Sequence, residues 1–422
     1  METALKTKKA ANMLSPLLLL FMLAMILANL GGSMYDPFLS LYLKDLGASV
    51  GKIGLFFTIS QIIPLALQIL GGWVSDQLGR LRAIAIGSVV GILTYVALIL
   101  APSWEWVILA MGFGAVTRAL IGPSFDAFIA EHSSEDNRAR LFGVTQTLFG
   151  IVAVVGPPLG GYLVEKMNYK GMLMVASVFY ICATLIRVGM AREAAKTQRA
   201  NGTEKKLSFA SLKGNLGAMT GLILAGGVFT WIMITDGIRD IFFMMSSNFM
   251  SLYMQDIAHL GLTQIGLMNS VFGIAMMTVM IPAGWLSDKA GERVCISSGF
   301  LLMSVAIGMI VIIPPISPAW VYGAGWVIAG LGVGLLTPAY QSLISKVVPA
   351  HLRGTAFGLF STSLGIVSLP SPAIGAWLWE HVSPQFPFLL TAFVSLLTIL
   401  PVWLKFKIER PLDDETPATP AN

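Results

Sequence analysis

Six ionisable side chains stand inside long apolar stretches of this sequence: Asp36, Arg118, Asp126, Asp236, Arg239 and Asp240. A charge in such a setting is costly to hold, so each is a candidate for binding, ion pairing or proton transfer. None of the four histidines, His132, His259, His351 and His381, lies deep in an apolar stretch. Any proton carried through these stretches therefore falls to carboxylates. At about 1.5 Å per helical residue, Asp36 lies roughly 12 Å below Lys44, and Arg118 lies roughly 20 Å from Glu131. The two come out at similar depth, and an Asp36–Arg118 ion pair fits that placement. Asp126 is only about 7 Å from the Glu131 end, close enough to reach water there. Asp236 and Asp240 share a helix face at i, i+4, and Arg239 can pair with Asp236 at i, i+3. The chemical reading is a polar, net-negative cavity in which a carboxylate couples protons. The competing reading is a set of paired charges that orient helices and never titrate.

The elements that must position these groups follow from composition. Of 422 residues, 55% are hydrophobic and only 12% charged, with a mean hydropathy of +0.77. A soluble domain carries about 25% charged residues, so this chain faces lipid over much of its surface. Apolar stretches long enough to cross a hydrocarbon core of about 30 Å recur throughout. They predict an all-α membrane protein with twelve spans, at 15–43, 51–75, 83–101, 105–130, 141–164, 171–191, 221–253, 263–286, 294–314, 318–345, 354–379 and 385–406. Lysine and arginine then separate by side. Lys44, Lys52, Lys166 and Lys170 fall on one side, while Lys6, Arg80, Arg82, Arg138, Arg140, Arg187, Arg192, Lys289, Lys346 and many others fall on the other. The positive-inside rule sets both termini in the cytoplasm, and the plasma (inner) membrane is the expected location. The positive charges follow topology rather than forming a patch, which argues against a nucleic-acid partner. Cys182 and Cys295 sit in apolar stretches with no metal-ligand spacing, and no cofactor or metal is expected.

One long polar connection, Glu193 to Lys213, divides the chain. The expected organisation is a bundle over 1–192, a linker over 193–215, a second bundle over 216–408 and a disordered tail over 409–422. The halves repeat each other. Ser40-Leu-Tyr-Leu-Lys-Asp-Leu-Gly answers Ser251-Leu-Tyr-Met-Gln-Asp-Ile-Ala, and Gly72-Trp-Val-Ser-Asp-Gln-Leu-Gly-Arg answers Gly284-Trp-Leu-Ser-Asp-Lys-Ala-Gly-Glu. Pro123, Arg138, Gly143, Pro157 and Gly160 answer Pro338, Arg353, Gly358, Pro372 and Gly375. Offsets stay near 211 to 215. Six spans later the orientation is the same, so these are parallel repeats about an axis along the membrane normal, an arrangement of transporters with a midplane site.

The loop Gly72-Trp-Val-Ser-Asp76-Gln-Leu-Gly79-Arg80-Leu-Arg82, with its degenerate copy at Gly284, Asp288 and Gly291, resembles the signature loop of the major facilitator superfamily. The resemblance covers the whole chain and implies two pseudo-symmetric six-helix bundles. Physically, Gly72 permits close helix approach. Asp76 can receive a positive partner or face a helix N-terminus, and Arg80 and Arg82 can pair with Glu131. Together with Asp288, these residues are the expected gating loop. Arg118-Ala-Leu-Ile-Gly122 resembles the helix 4 motif of proton-coupled members, with Ile121 where a polar residue is usual. Gly156-Pro157-Pro158-Leu159-Gly160-Gly161 resembles the core of the antiporter signature, and would bend and pack a helix 5 gate. Met244, Met245, Met250, Met276 and Met277 would suit an adaptable binding wall.

The resemblance implies a monomeric secondary transporter in the lipid bilayer, moving a small-molecule substrate and protons by alternating access. Efflux of lipophilic or cationic compounds, similar to the drug:proton antiporters, leads over a proton-coupled uptake symporter for a metabolite. An intramembrane enzyme is the remote third reading: no His-Glu-x-x-His zinc motif is present, nor a Gly-x-Gly-Asp partner for Tyr35-Asp36.

Overall fold

A computed structural model describes residues 16–131, 135–198, 227–315, 317–348 and 365–406, with the side chains of 66, 68–78, 130, 135–140 and 194–198 outside that description. The proposed linker, from 199 on, and the C-terminal tail fall outside it as well. The described residues are helical, as a chain in hydrocarbon must be unless it closes a barrel, because every backbone N–H and C=O needs an internal partner. In order they form α1 (Pro16–Tyr35), a 3-10 turn (Asp36–Phe38), α2 (Leu39–Asp45), α3 (Val50–Leu78), α4 (Arg80–Leu100), α5 (Trp104–Glu131) and α6 (Glu135–Gln198). The second half supplies α7 (Val228–Ser247), α8 (Met250–Asp256), α9 (Leu262–Ala290), α10 (Glu292–Ile312), α11 (Ala319–Val347), α12 (Ser371–His381) and α13 (Phe386–Lys405). Among the described residues, eight stretches are long and apolar enough to cross a membrane. The longest, Leu141–Glu193, is interrupted at Asn168, whose φ of 72° divides α6 into two arms. Asparagine tolerates that conformation, and its Oδ1 accepts the N–H of Gly171 to start the second arm.

The sequence repeat is carried into backbone geometry. The first span, expected as one helix through residue 43, breaks at Asp36–Phe38, where Pro37 stands; proline cannot supply the helical N–H. The span of α7 and α8 breaks at the matching place without a proline. Phe38 and Phe249 cap the short outer helices with nearly the same angles, and both are buried. Just beyond, the Tyr42 hydroxyl donates to Leu98 O at 2.7 Å and the Tyr253 hydroxyl to Val311 O at 3.2 Å. Gly79 and Gly291 start α4 and α10 at φ of 82° and 94°, a region that side chains other than glycine adopt only with strain.

Glycines also set the helix contacts. A Cβ on Gly160 of α6 would lie 2.0 Å from Met34 O in α1, and one on Gly375 of α12 would lie 2.0 Å from Met245 O in α7. Between the halves, a Cβ on Gly266 of α9 would meet Pro157 O at 2.4 Å, and one on Gly54 of α3 would meet Pro372 O at 2.6 Å. Backbones this close gain dispersion contacts that lipid tails do not replace. Leucines, isoleucines and tryptophans such as Leu100, Ile281, Ile312 and Trp320 point outward instead.

Candidate functional site

On the Lys44 side the two halves are fastened together. The first turn of a helix leaves backbone N–H groups without intrahelical partners and carries a positive partial charge. Glu165 of α6 uses this at α9: Oε1 accepts the Thr263 N–H at 2.9 Å and Oε2 accepts the Thr263 hydroxyl at 2.7 Å. Glu380 of α12 does the same at α3, accepting the Gly51 N–H at 2.7 Å. Lys44 pairs with Asp256 at 2.5 Å, and the Ser251 hydroxyl donates to Pro37 O at 2.6 Å. Of the expected gate residues, now on α6, Gly161 joins the same seam against Leu262 O, while Gly156 packs against Ser33 of α1 within the first half. Ser270 of α9 donates to Val154 O within the seam.

Below that seam, the intramembrane charges of the first half stand apart from one another. Asp36 opens the 3-10 turn and is exposed. No ion pair within 4.0 Å joins it to Arg118. The expected pairing rested on similar depth alone, and equal depth on two helices does not by itself turn their side chains toward each other. Arg118 and Asp126, both exposed on α5, line a cavity of about 470 Å³ with Met25, Asn29, Phe125, Phe149, Tyr180 and Arg187. Asp126 also has no ion-pair partner within 4.0 Å among the described residues.

Arg187 is the residue that sequence reading missed, because it falls near the end of its span and was counted with the topological arginines. It is only 3% exposed. Its Nη1 donates to the Ser88 hydroxyl at 3.0 Å and its Nη2 to Met25 Sδ at 3.6 Å. Ser88 in turn donates to Ile84 O, so its oxygen is left to accept from the guanidinium. With Arg118, Arg187 and Asp126 on its wall, this cavity reverses the expected net-negative balance.

In the second half the charges gather into one cluster of two aspartates on a single arginine. Asp236 is fully buried; Arg239 Nη2 lies 2.9 Å from Asp236 Oδ1 and 3.1 Å from Asp240 Oδ1. The Arg239 guanidinium also lies over the Tyr340 ring at 5.9 Å. Of the methionines on this side, Met277 lies against Gly150 of α6 and Met245 O against Gly375, which are packing contacts.

At the opposite side from Lys44, Arg80 Nε is 3.2 Å from Glu131 Oε1. Gly79 supplies the turn; Arg82 and Asp288 are exposed. Gly72 and Asp76 lie in α3, with side chains outside the described residues. The matching pair in the second half was also missed. Glu292 accepts from Lys346 and from the Ser342 hydroxyl at 2.8 Å. Glu292 answers Arg80 and Lys346 answers Glu131 at the repeat offset, so the pair recurs with its signs exchanged. The signal was visible in the repeat itself, where Gly-Arg in one copy is Gly-Glu in the other.

A sequence model described as Major Facilitator Superfamily matches residues 21–367, with a second, overlapping match over 232–421. Curated relatives include a "Multi-drug resistance efflux pump PmrA homolog" of Lactococcus lactis, 24% identical over 89% of this chain and 91% of its own. A "Na(+), Li(+), K(+)/H(+) antiporter" of Planococcus maritimus is 25% identical over 86% of this chain and 91% of its own. Among solved structures, a peptide transporter POT in complex with alafosfalin superposes with a TM-score of 0.71 at 14% identity, covering 92% of this chain and 93% of that one. That likeness is one of fold.

Proposed function

The chain belongs to the Major Facilitator Superfamily, and from that premise we propose that it exports lipophilic small molecules in exchange for protons, by alternating access. The observation that carries the reading is the state of Asp36 and Asp126: two carboxylates within spans, exposed and without an ion pair within 4.0 Å. A carboxylate in that position is free to change charge, whereas one locked against a guanidinium is held ionised. The names of the relatives, a drug efflux pump and a cation/proton antiporter, support export and exchange.

In the proposed cycle, the bundles over 1–192 and 216–408 rock about the seam, joined by the linker over 193–215. With the Lys44 side shut, cargo enters from the side of the termini, which are cytoplasmic in this reading, and the carboxylates lose their protons there. Opening the Lys44 side breaks the Glu165 and Glu380 contacts, releases cargo and reprotonates the carboxylates. Neutral acids then re-enter the closed state at lower desolvation cost. Asp36 is the principal coupling residue and Asp126 the second. The Asp236–Arg239–Asp240 cluster holds the second bundle together.

The test is transport by purified protein in liposomes under an imposed pH gradient, with Asp36→Asn alongside. Gradient-driven movement of a lipophilic probe by the wild type, lost in Asp36→Asn while gradient-independent exchange persists, is the expected result. Equal pH dependence in both proteins would remove Asp36 from the coupling step.

A further inference from the structure

We propose that the first-half cavity between α1, α5 and α6 is a binding site for amphiphilic organic anions, with Arg187 and Arg118 as the anion contacts and the Phe125, Phe149 and Met25 side chains as the apolar bed. This names the cargo class for the transport reading above, and rests on it only for the word cargo.

Several observations converge. The cavity, about 470 Å³, falls in the size range of small-molecule sites. Two guanidiniums and one carboxylate, Asp126, line it. Neither arginine has a carboxylate within 4.0 Å among the described residues. Arg187 is buried against neutral partners alone, the Ser88 hydroxyl and Met25 Sδ. An arginine held in a membrane span without a counter-ion carries a standing desolvation cost that a bound anion relieves.

Tyr180 lines the same cavity beside Arg187 and is 7% exposed, so its hydroxyl is a further neutral polar group next to the guanidinium. Asn29 and Thr117 are already used: the amide of Asn29 donates to Met25 O and the hydroxyl of Thr117 to Gly87 O. The donors left over are the ones that suit an anion. Guanidinium is also the group best shaped for planar two-oxygen acceptors. The aromatic and thioether wall sets the other half of the ligand, a flat or flexible apolar body. Asp126 at the rim repels a second negative charge, so a monoanion is favoured over a dianion.

The experiment is equilibrium binding to the full chain in detergent, read by energy transfer from tryptophan to pyrene. The probes are pyrenebutyrate, its uncharged methyl ester and the corresponding pyrenyl ammonium. The wild type is expected to rank them acid, ester, ammonium. Arg187→Gln should weaken the acid by about tenfold or more, the scale of one charge-assisted hydrogen bond, and leave the ester unchanged. Arg187→Lys should recover much of the loss, and Asp126→Asn should tighten the acid. Where Arg187→Gln does not yield a monodisperse protein, Arg118→Gln carries the same prediction. An ammonium bound more tightly than the acid by the wild type overturns the proposal, as does an acid-to-ester ratio unmoved in the arginine variants. Binding at equilibrium needs neither a direction nor a proton gradient, so this result stands apart from failure of the export reading.

Discussion

The two halves share a scaffold and differ in chemistry. Helix breaks at Asp36–Phe38 and at 248–249, the tyrosine contacts to Leu98 O and Val311 O, the glycine turns at 79 and 291, and the paired approaches of Gly160 and Gly375 all repeat. The charges do not. In the first half Asp36, Arg118, Asp126 and Arg187 are spread along the span interiors without a mutual ion pair. In the second, one arginine gathers two aspartates against Tyr340. The lesson is that packing constrains backbone and small residues in both halves alike. Charged residues are kept only where each half needs them, one for binding and coupling, the other for holding its shape.

That contrast can be broken in several ways. The largest effect is expected at Arg239→Gln, which leaves fully buried Asp236 without its cation and should cost about 3–5 kcal/mol, read as a drop in thermal unfolding midpoint in detergent. Adding Asp236→Asn should recover part of the loss, the sign of coupling between contacting groups. Arg118→Gln, by contrast, should leave the midpoint nearly unchanged; an equal drop would erase the distinction between the halves.

Next come the matched glycines. Gly160→Ala and Gly375→Ala each put a methyl group against a carbonyl oxygen and should each cost about 1–3 kcal/mol. Similar losses in the two variants would confirm that the scaffold is symmetric, and a large inequality would sharpen where it is not.

Smaller still are Glu165→Gln and Glu380→Gln. Each weakens a carboxylate bond to a helix N-terminus by about 1 kcal/mol, or roughly a fivefold shift toward opening on the Lys44 side. The readout is labelling of Ser251→Cys by a membrane-impermeant maleimide in a Cys182→Ser background. The smallest effect belongs to Arg80→Glu, an exposed pair worth about 1 kcal/mol or less. Combined with Glu131→Lys, it should return to wild-type stability, since Glu292 and Lys346 already use that sign order.

Much of the architecture was legible because it is periodic. Spans, repeat and helix ends follow from apolar length and from Gly, Pro and Asp at fixed offsets. The break at Asp36 was not foreseen, because one proline near the end of an apolar run is compatible with a continuous helix, and the matching break before Met250 has no proline at all. The Asp236–Arg239 pairing is local and followed from i, i+3 spacing. The Asp36–Arg118 pairing depended on two helices meeting at one depth, and depth alone does not fix azimuth. Arg187 was read as a topological charge because its burial depends on Ser88 and Met25, far away in sequence. The Glu292–Lys346 pair could have been found by asking what the repeat does with Arg80 and Glu131.

The central claim is that coupling resides in the first half. It is tested most directly by measuring gradient-driven transport for Asp36→Asn, Asp126→Asn, Asp236→Asn and Asp240→Asn side by side in liposomes, at matched protein insertion. The account predicts that Asp36→Asn abolishes the dependence on the pH gradient and Asp126→Asn weakens it. Properly folded Asp236→Asn and Asp240→Asn should keep it. Loss of pH dependence in the second-half variants, with Asp36→Asn and Asp126→Asn still driven by the gradient, would contradict it.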